Sequence, residues 1–251
     1  MQHKIGAQTI PWGESVGARM EEIAAYLVRT GYDGVETGMR HFDASDTVRY
    51  KTLYRDTGLV PLGLHSGGQF WIPDAADDER KKLDAAVDFA AEVGFSYVVV
   101  SGNKDETVDS MRRAAETYNR LGERCRERGL AFAYHNHDWE LANDAEILET
   151  LRTETEAETV LLVLDIAWAH VGGIDVSELL RRFGGRIAYL HIKDVRDKRF
   201  CELGTGEVDV PAVLAAAARE RIEWLVVEQD YTDLTPEESI RLNYDYLRSV
   251  G

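Results

Sequence analysis

Six places along the chain carry side chains able to bind a metal or move a proton: Glu36, His65, the pair His135 and His137, Asp165, the pair His191 and Lys193, and Glu228. Each stands at or just past the end of a short β-rich run, and four of the seven histidines are among them. One acidic or imidazole group at a strand end is an ordinary loop contact. Several strands ending this way bring carboxylates onto one rim, where they repel unless something positive holds them. A divalent cation is the simplest such partner. Mixed Asp, Glu and His donors suit Mn²⁺, Zn²⁺, Co²⁺ or Mg²⁺ without choosing among them.

The runs that must position these groups are Lys4–Ile10, Gly34–Thr37, Leu59–His65, Tyr97–Ser101, Ala131–Asn136, Val160–Asp165, Ile187–Lys193 and Trp224–Glu228. Several, such as TVLLVLD and EWLVVE, are continuously apolar, as strands covered on both faces are. Helical periods fill the gaps. Met111, Ala115, Tyr118, Leu121 and Cys125 form one stripe, and Leu83, Ala86, Phe89, Ala90 and Val93 another. Gly129 and Gly94 follow as C-terminal caps, and Thr235, Pro236 and Glu238 spell a capping box for the last helix. Eight strands alternating with about eight helices over 251 residues predict a (β/α)8 barrel as one domain spanning 1–251. A doubly wound sheet would want a Gly-rich turn after the first strand, where TIPWGES offers only Gly13. In a barrel, the strand C-termini are the catalytic end.

Composition narrows the partners. With 29 basic and 45 acidic residues the net charge is −16, which argues against nucleic acid, whose binders neutralise phosphate with a basic face. No apolar run nears membrane-span length, the first residues read as no signal peptide, and Cys125 and Cys201 form no disulfide framework. A cytoplasmic protein acting on a small molecule is expected, with a homo-oligomer or a partner subunit left open. Cys125 reads as a core residue of its helix and Cys201 as a loop bystander. GTGEVDV, from Gly204 to Val210, reads as a tight turn into a helix capped by Asp209, with phosphate binding as the alternative. The basic segment Val195–Phe200 reads as a solvated loop bordering the rim.

Together GYDGVE, AYHNHDWEL, VLDIAWAHVGG, YLHIKD, LGTGEVD and VVEQD cover essentially the whole chain. They resemble the sugar phosphate isomerase/epimerase group of xylose-isomerase-like TIM barrels, which includes ketose 3-epimerases, hydroxypyruvate isomerase and inosose dehydratase. The resemblance implies one divalent ion, Mn²⁺ foremost, held by Glu, Asp, His and Glu from strands five to eight. Asp165, His191 and Glu228 match the last three positions. The first departs, since His135 stands where the epimerases carry glutamate. Either His135 replaces that ligand or Glu140 bends back to supply it. Alternation along a continuing strand argues against Glu140, but a turn at the rim can reorient it, and Glu140 is the expected ligand.

His137 and His135 are then free for proton chemistry, with Lys193 as a further catalytic group and Glu36, His65 and Trp168 as substrate contacts. The shared step is removal of a proton beside a carbonyl. Isomerisation or epimerisation of a small sugar or keto-sugar is the first expectation. A lyase acting by β-elimination, dehydration or cleavage of a 3-keto-glycoside is the alternative, which the resemblance of HNHD-x-E to a related branch of keto-sugar lyases implies.

Overall fold

A computed structural model of the chain describes residues 3–67, 73–102, 104 and 106–251. Eight parallel strands close into a barrel: β1 (Lys4–Gln8), β2 (Gly34–Gly38), β3 (Val60–Ser66), β4 (Tyr97–Ser101), β5 (Ala131–His135), β6 (Val160–Asp165), β7 (Ile187–Ile192) and, after a hairpin of β8 (Asp194–Arg196) and β9 (Arg199–Cys201), β10 (Trp224–Val227), which pairs with β1. Helices α1 (Met20–Thr30), α2 (Thr47–Thr57), α3 (Pro73–Val93), α4 (Val108–Glu127), α5 (Ala142–Glu154), α6 (Ile166–Val171), α7 (Val176–Phe183), α8 (Val210–Arg219) and α9 (Pro236–Val250) pack outside. The apolar stripes of α3 and α4 are buried against the sheet. Gly94 and Gly129 stop those helices with φ of 101° and 77°, and Thr235 and Glu238 complete the capping box of α9. Among the described residues, no helix is long and apolar enough to cross a membrane.

Strand alternation separates two apolar layers. Val99, Ala133, Val163, Tyr189 and Val226 fill the barrel interior, while Phe132, Tyr134, Leu162 and Leu190 face the helices. Continuing the inward parity one step brings His135, Asp165, His191 and Glu228 to the same end of the barrel. β3 does not keep strict parity. A register shift opposite Val35 and Glu36 leaves Leu62 inside, Leu64 outside and His65 inside again, against Glu36.

The basic segment after β7 is a hairpin and not a loop. β8 (Asp194–Arg196) pairs antiparallel with β9 (Arg199–Cys201), and Asp197 and Lys198 make the turn with positive φ. Such two-residue hairpins match strand twist, but their usual Asn-Gly signature is missing here. Arg199 pairs with Asp233 and stacks on Tyr231, so the basic run is spent on the surface. The amides of the Gly204–Val210 turn also have a partner within the chain. The buried Asp194 carboxylate accepts from Val195 and Val208 through Oδ1 (2.8 and 3.0 Å), and from Gly204 and Gly206 through Oδ2 (3.0 and 2.9 Å). A Cβ on Gly206 would collide with Asp194 Oδ1. Asp209 caps α8 by accepting from Ala212. Cys125 is buried, and Cys201 half-buried in β9; both are free thiols.

Candidate metal centre and active site

At the C-terminal end of the barrel, Nε2 of His135, Oδ2 of Asp165, Nδ1 of His191 and Oε2 of Glu228 all lie within 4.8 Å of one another. His191 Nδ1 is 3.2 Å from Glu228 Oε2, and His135 Nε2 is 3.6 Å from Asp165 Oδ2. These four atoms are buried, and none has a hydrogen-bond partner among the described residues. Two of them face an ammonium: Lys193 Nζ lies 2.6 Å from Glu228 Oε2 and 3.0 Å from Asp165 Oδ2. Buried polar atoms are nearly always satisfied, so four orphans facing one another mark a place for a cation. The charges agree. Asp165 and Glu228 are buried carboxylates that share the buried ammonium of Lys193, while the buried Glu36 faces His65 and His191.

Each donor is aimed by its own strand end. Asp165 caps α6, its Oδ1 accepting from Ala167 and Trp168 at 2.9 Å, which leaves Oδ2 to the cluster. Asn136, one residue past β5, accepts from the Asp165 amide at 3.1 Å and ties the two strand ends together. Ser101 at the end of β4 approaches His135 Nδ1 at 3.4 Å. Lys193 is held from outside the cluster by Asp230 at 2.6 Å, and it lies over the rings of Phe200 and Trp168.

The electrostatics of the metal-free chain follow from this crowding. Burial opposes charge on every member. For Glu228 the charges of Lys193 and His191 outweigh burial and hold its carboxyl well below the usual range. Glu36 is likewise held low by His191 and His65 against burial. The same carboxylates raise His135, His191 and Lys193 against their own desolvation. The imidazoles thus draw in protons where a cation would supply the charge. A bound ion inverts this preference, because deprotonated nitrogens are what ligate.

Glu140 stands apart from the cluster. A short turn at Trp139–Leu141 does redirect it, but toward the outside of β5. Its Oε1 accepts from the Tyr134 hydroxyl at 2.8 Å and its Oε2 from the His137 amide at 2.8 Å. Tyr134 faces the helix layer, so a carboxylate on its hydroxyl lies away from Asp165, His191 and Glu228. Strand parity brings His135 to them instead.

Above the cluster opens a cavity of about 380 Å³. His137 lines it, stacked on Trp139 with ring centroids 4.0 Å apart, and its Nδ1 is 3.7 Å from Glu140. Burial pushes the His137 imidazole below its ordinary range, against the pull of Glu140. Trp168, Phe200, His65 and Lys193 also line the cavity, whereas Glu36 lies fully buried beneath it. Sequence reasoning missed Asp230, Phe200 and Arg40, all on the cavity wall. Asp230 was within reach, two residues after Glu228. Arg40 and Phe200 carry no local signal.

Comparison with known proteins agrees with the fold. An inosose dehydratase of Geobacillus kaustophilus (strain HTA426) is 26% identical over 216 residues, covering 77% of this chain and 70% of that protein. Across the first four such dehydratases the chain spans between 64% and 70% of their length. A sugar phosphate isomerase/epimerase from Parabacteroides distasonis ATCC 8503 superposes with a TM-score of 0.84 at 23% identity, covering 99% of this chain and 95% of that one. The IolI protein, crystallised with a bound zinc atom, superposes at 0.80 with 18% identity, covering 98% and 97%. The xylose isomerase-like TIM barrel family matches residues 24–250, and with nearly its whole length so matched the chain belongs to that family.

Proposed function

We propose that the protein is a divalent-metal-dependent enzyme that removes a proton beside the carbonyl of a small keto-sugar or cyclic polyol ketone and expels a β-substituent, water in the simplest case. The observation that carries this is the set of four buried donor atoms without a hydrogen-bond partner among the described residues, at the base of the cavity. His135, Asp165, His191 and Glu228 hold the ion, with Glu140 outside the set. Two nitrogens and two carboxylate oxygens suit Mn²⁺, the sequence expectation, and equally the Zn²⁺ seen in IolI. When bound, a divalent ion supplies Lewis-acid polarisation of the substrate carbonyl.

The chain's own groups supply the rest. His137 takes the carbon-bound proton at Nε2, since its Nδ1 faces Glu140. Lowered by burial, its imidazole is neutral and ready to accept. Lys193, anchored by Asp230, donates a hydrogen bond to a substrate oxygen. Trp168 and Phe200 cover the apolar face of the ring and exclude water. The C–H electrons form the new double bond, and the β-hydroxyl leaves as water on receiving the proton that His137 took up. The inosose dehydratase relatives support elimination. Isomerisation or epimerisation is the second reading, because His137 and Lys193 come from different strands and give the cavity two proton-bearing groups.

The test is a panel of keto-sugars and cyclic polyol ketones incubated with Mn²⁺- or Zn²⁺-loaded protein in D₂O, with products read by mass and NMR. Loss of water or of an aglycone supports elimination. An isomeric product carrying solvent deuterium at the reacting carbon supports the second reading. No reaction with any metal-loaded combination refutes both.

A further inference from the structure

We propose that Glu36 is a positioning residue that fixes the tautomer and ring orientation of His191, so that Nδ1 of that imidazole meets the ion as a lone pair. This rests on the metal reading above. Glu36 arrives from β2, three strands from β7 around the barrel, and its side chain is completely buried. It lies beneath the cavity and does not line it, which removes it from the direct substrate contacts expected from the sequence. His191 Nε2 is 2.9 Å from Glu36 Oε1 and 3.1 Å from Oε2, His65 Nε2 is 2.7 Å from Oε1, and the Tyr189 hydroxyl donates to Oε2.

An ionised carboxylate only accepts hydrogen bonds. The proton of neutral His191 therefore belongs on Nε2, and Nδ1 is left bare. That bare nitrogen stands 3.2 Å from Glu228 Oε2. Two acceptors facing each other at that distance need a positive charge between them, a proton in the metal-free chain or a cation in its place. Carboxylate partners on the outer nitrogen of a ligating histidine have this effect in metal sites generally. The contact is also built for. A Cβ on Gly63 would stand 2.6 Å from the Tyr189 hydroxyl and 2.9 Å from Glu36 Oε2, so only glycine at that point of β3 leaves room for the pair.

The experiment uses full-length protein stripped with chelator. Metal affinity is measured by calorimetric titration with Zn²⁺ and Mn²⁺, and histidine tautomers by long-range ¹H–¹⁵N NMR of the Zn²⁺-loaded chain. Wild type should show His191 protonated at Nε2. Glu36→Gln should weaken both metals about 10–100-fold while the metal-free chain keeps its circular dichroism. Unchanged affinity in Glu36→Gln, or His191 protonated at Nδ1 in wild type, overturns the proposal. If wild type binds neither ion, the metal reading itself has failed. The tautomer of the metal-free chain in alkaline solution then still tests the Glu36–His191 link. Should Glu36→Gln not fold, Glu36→Asp, whose shorter side chain withdraws the carboxylate, takes its place, and the wild-type spectrum decides independently.

Discussion

Asp194→Ala should be among the most damaging substitutions outside the metal cluster, although Asp194 is not part of that cluster. Its carboxylate accepts four backbone N–H bonds, two from the hairpin side and the start of α8, two from the glycine turn. The donors on Gly204 and Gly206 can turn to water, since that turn is largely exposed. Those on Val195 and Val208 cannot, because both residues are buried. A buried unpaired donor costs about 1–3 kcal/mol, and a hydrogen bond to a charged group contributes about 1.5–3 kcal/mol. Two stranded donors and two weakened contacts give a loss of about 3–5 kcal/mol on that scale. For a chain of this size the melting temperature should fall by about 6–20 °C. Urea unfolding of metal-free protein, followed by circular dichroism, measures the loss through the midpoint at constant slope. Because Asp194 opens the hairpin that carries Phe200, the variant should also raise KM more than it lowers kcat. A loss below about 1 kcal/mol would show that the turn holds its shape without the carboxylate, and the reasoning would be refuted.

Metal added to wild type at a hundredfold excess over Kd should stabilise it by about 2.7 kcal/mol, raising the melting temperature by about 5–11 °C; His135→Ala should abolish the shift. Glu140→Gln should retain the metal, by elemental analysis, and lose turnover, because its carboxylate holds the His137 loop; loss of metal in that variant alone would restore Glu140 as the strand-five ligand. Lys193→Met should destabilise the metal-free chain by about 3–5 kcal/mol, since removing one partner strands buried carboxylates, and added metal should close much of the gap; an unaltered unfolding midpoint would contradict the ionic role. Gly206→Ala should cost about 1–3 kcal/mol by overpacking against Asp194, read by the same urea titration.

The barrel was legible because its signals are local and repeated. Runs such as TVLLVLD announce strands covered on both faces, and the α4 stripe needs only its own period. Strand parity alone gathers Asp165, His191 and Glu228 at one end of the barrel, and His135 with them. The turn after β5 is there as expected, but nothing local says that Tyr134 and the His137 amide engage Glu140. Other features depend on partners distant in sequence. Glu36 meets Tyr189 only because the barrel closes, and His65 turns inward only because β3 shifts register. The hairpin after β7 was hidden because Asp197 and Lys198 make its turn without glycine or asparagine.

The strand-five difference changes the charge of the site, and the neighbouring residues are arranged accordingly. A ligand set of three carboxylates and one histidine leaves a divalent ion with one excess negative charge. In the ligand set proposed above, Asp165 and Glu228 alone would balance the ion, because His135 would bring a neutral donor. Such an ion would withdraw electrons more strongly from its ligands, since less negative charge would surround it. Lys193 would then share Asp165 and Glu228 with the metal. Its charge needs a separate partner, and Asp230 provides one at 2.6 Å. Asp230 comes from the same strand end as Glu228, two residues on. One strand end therefore supplies both Glu228, the anion proposed to meet the metal, and Asp230, the anion that stands beside Lys193 on the other side, so one buried floor can take both the ion and the ammonium.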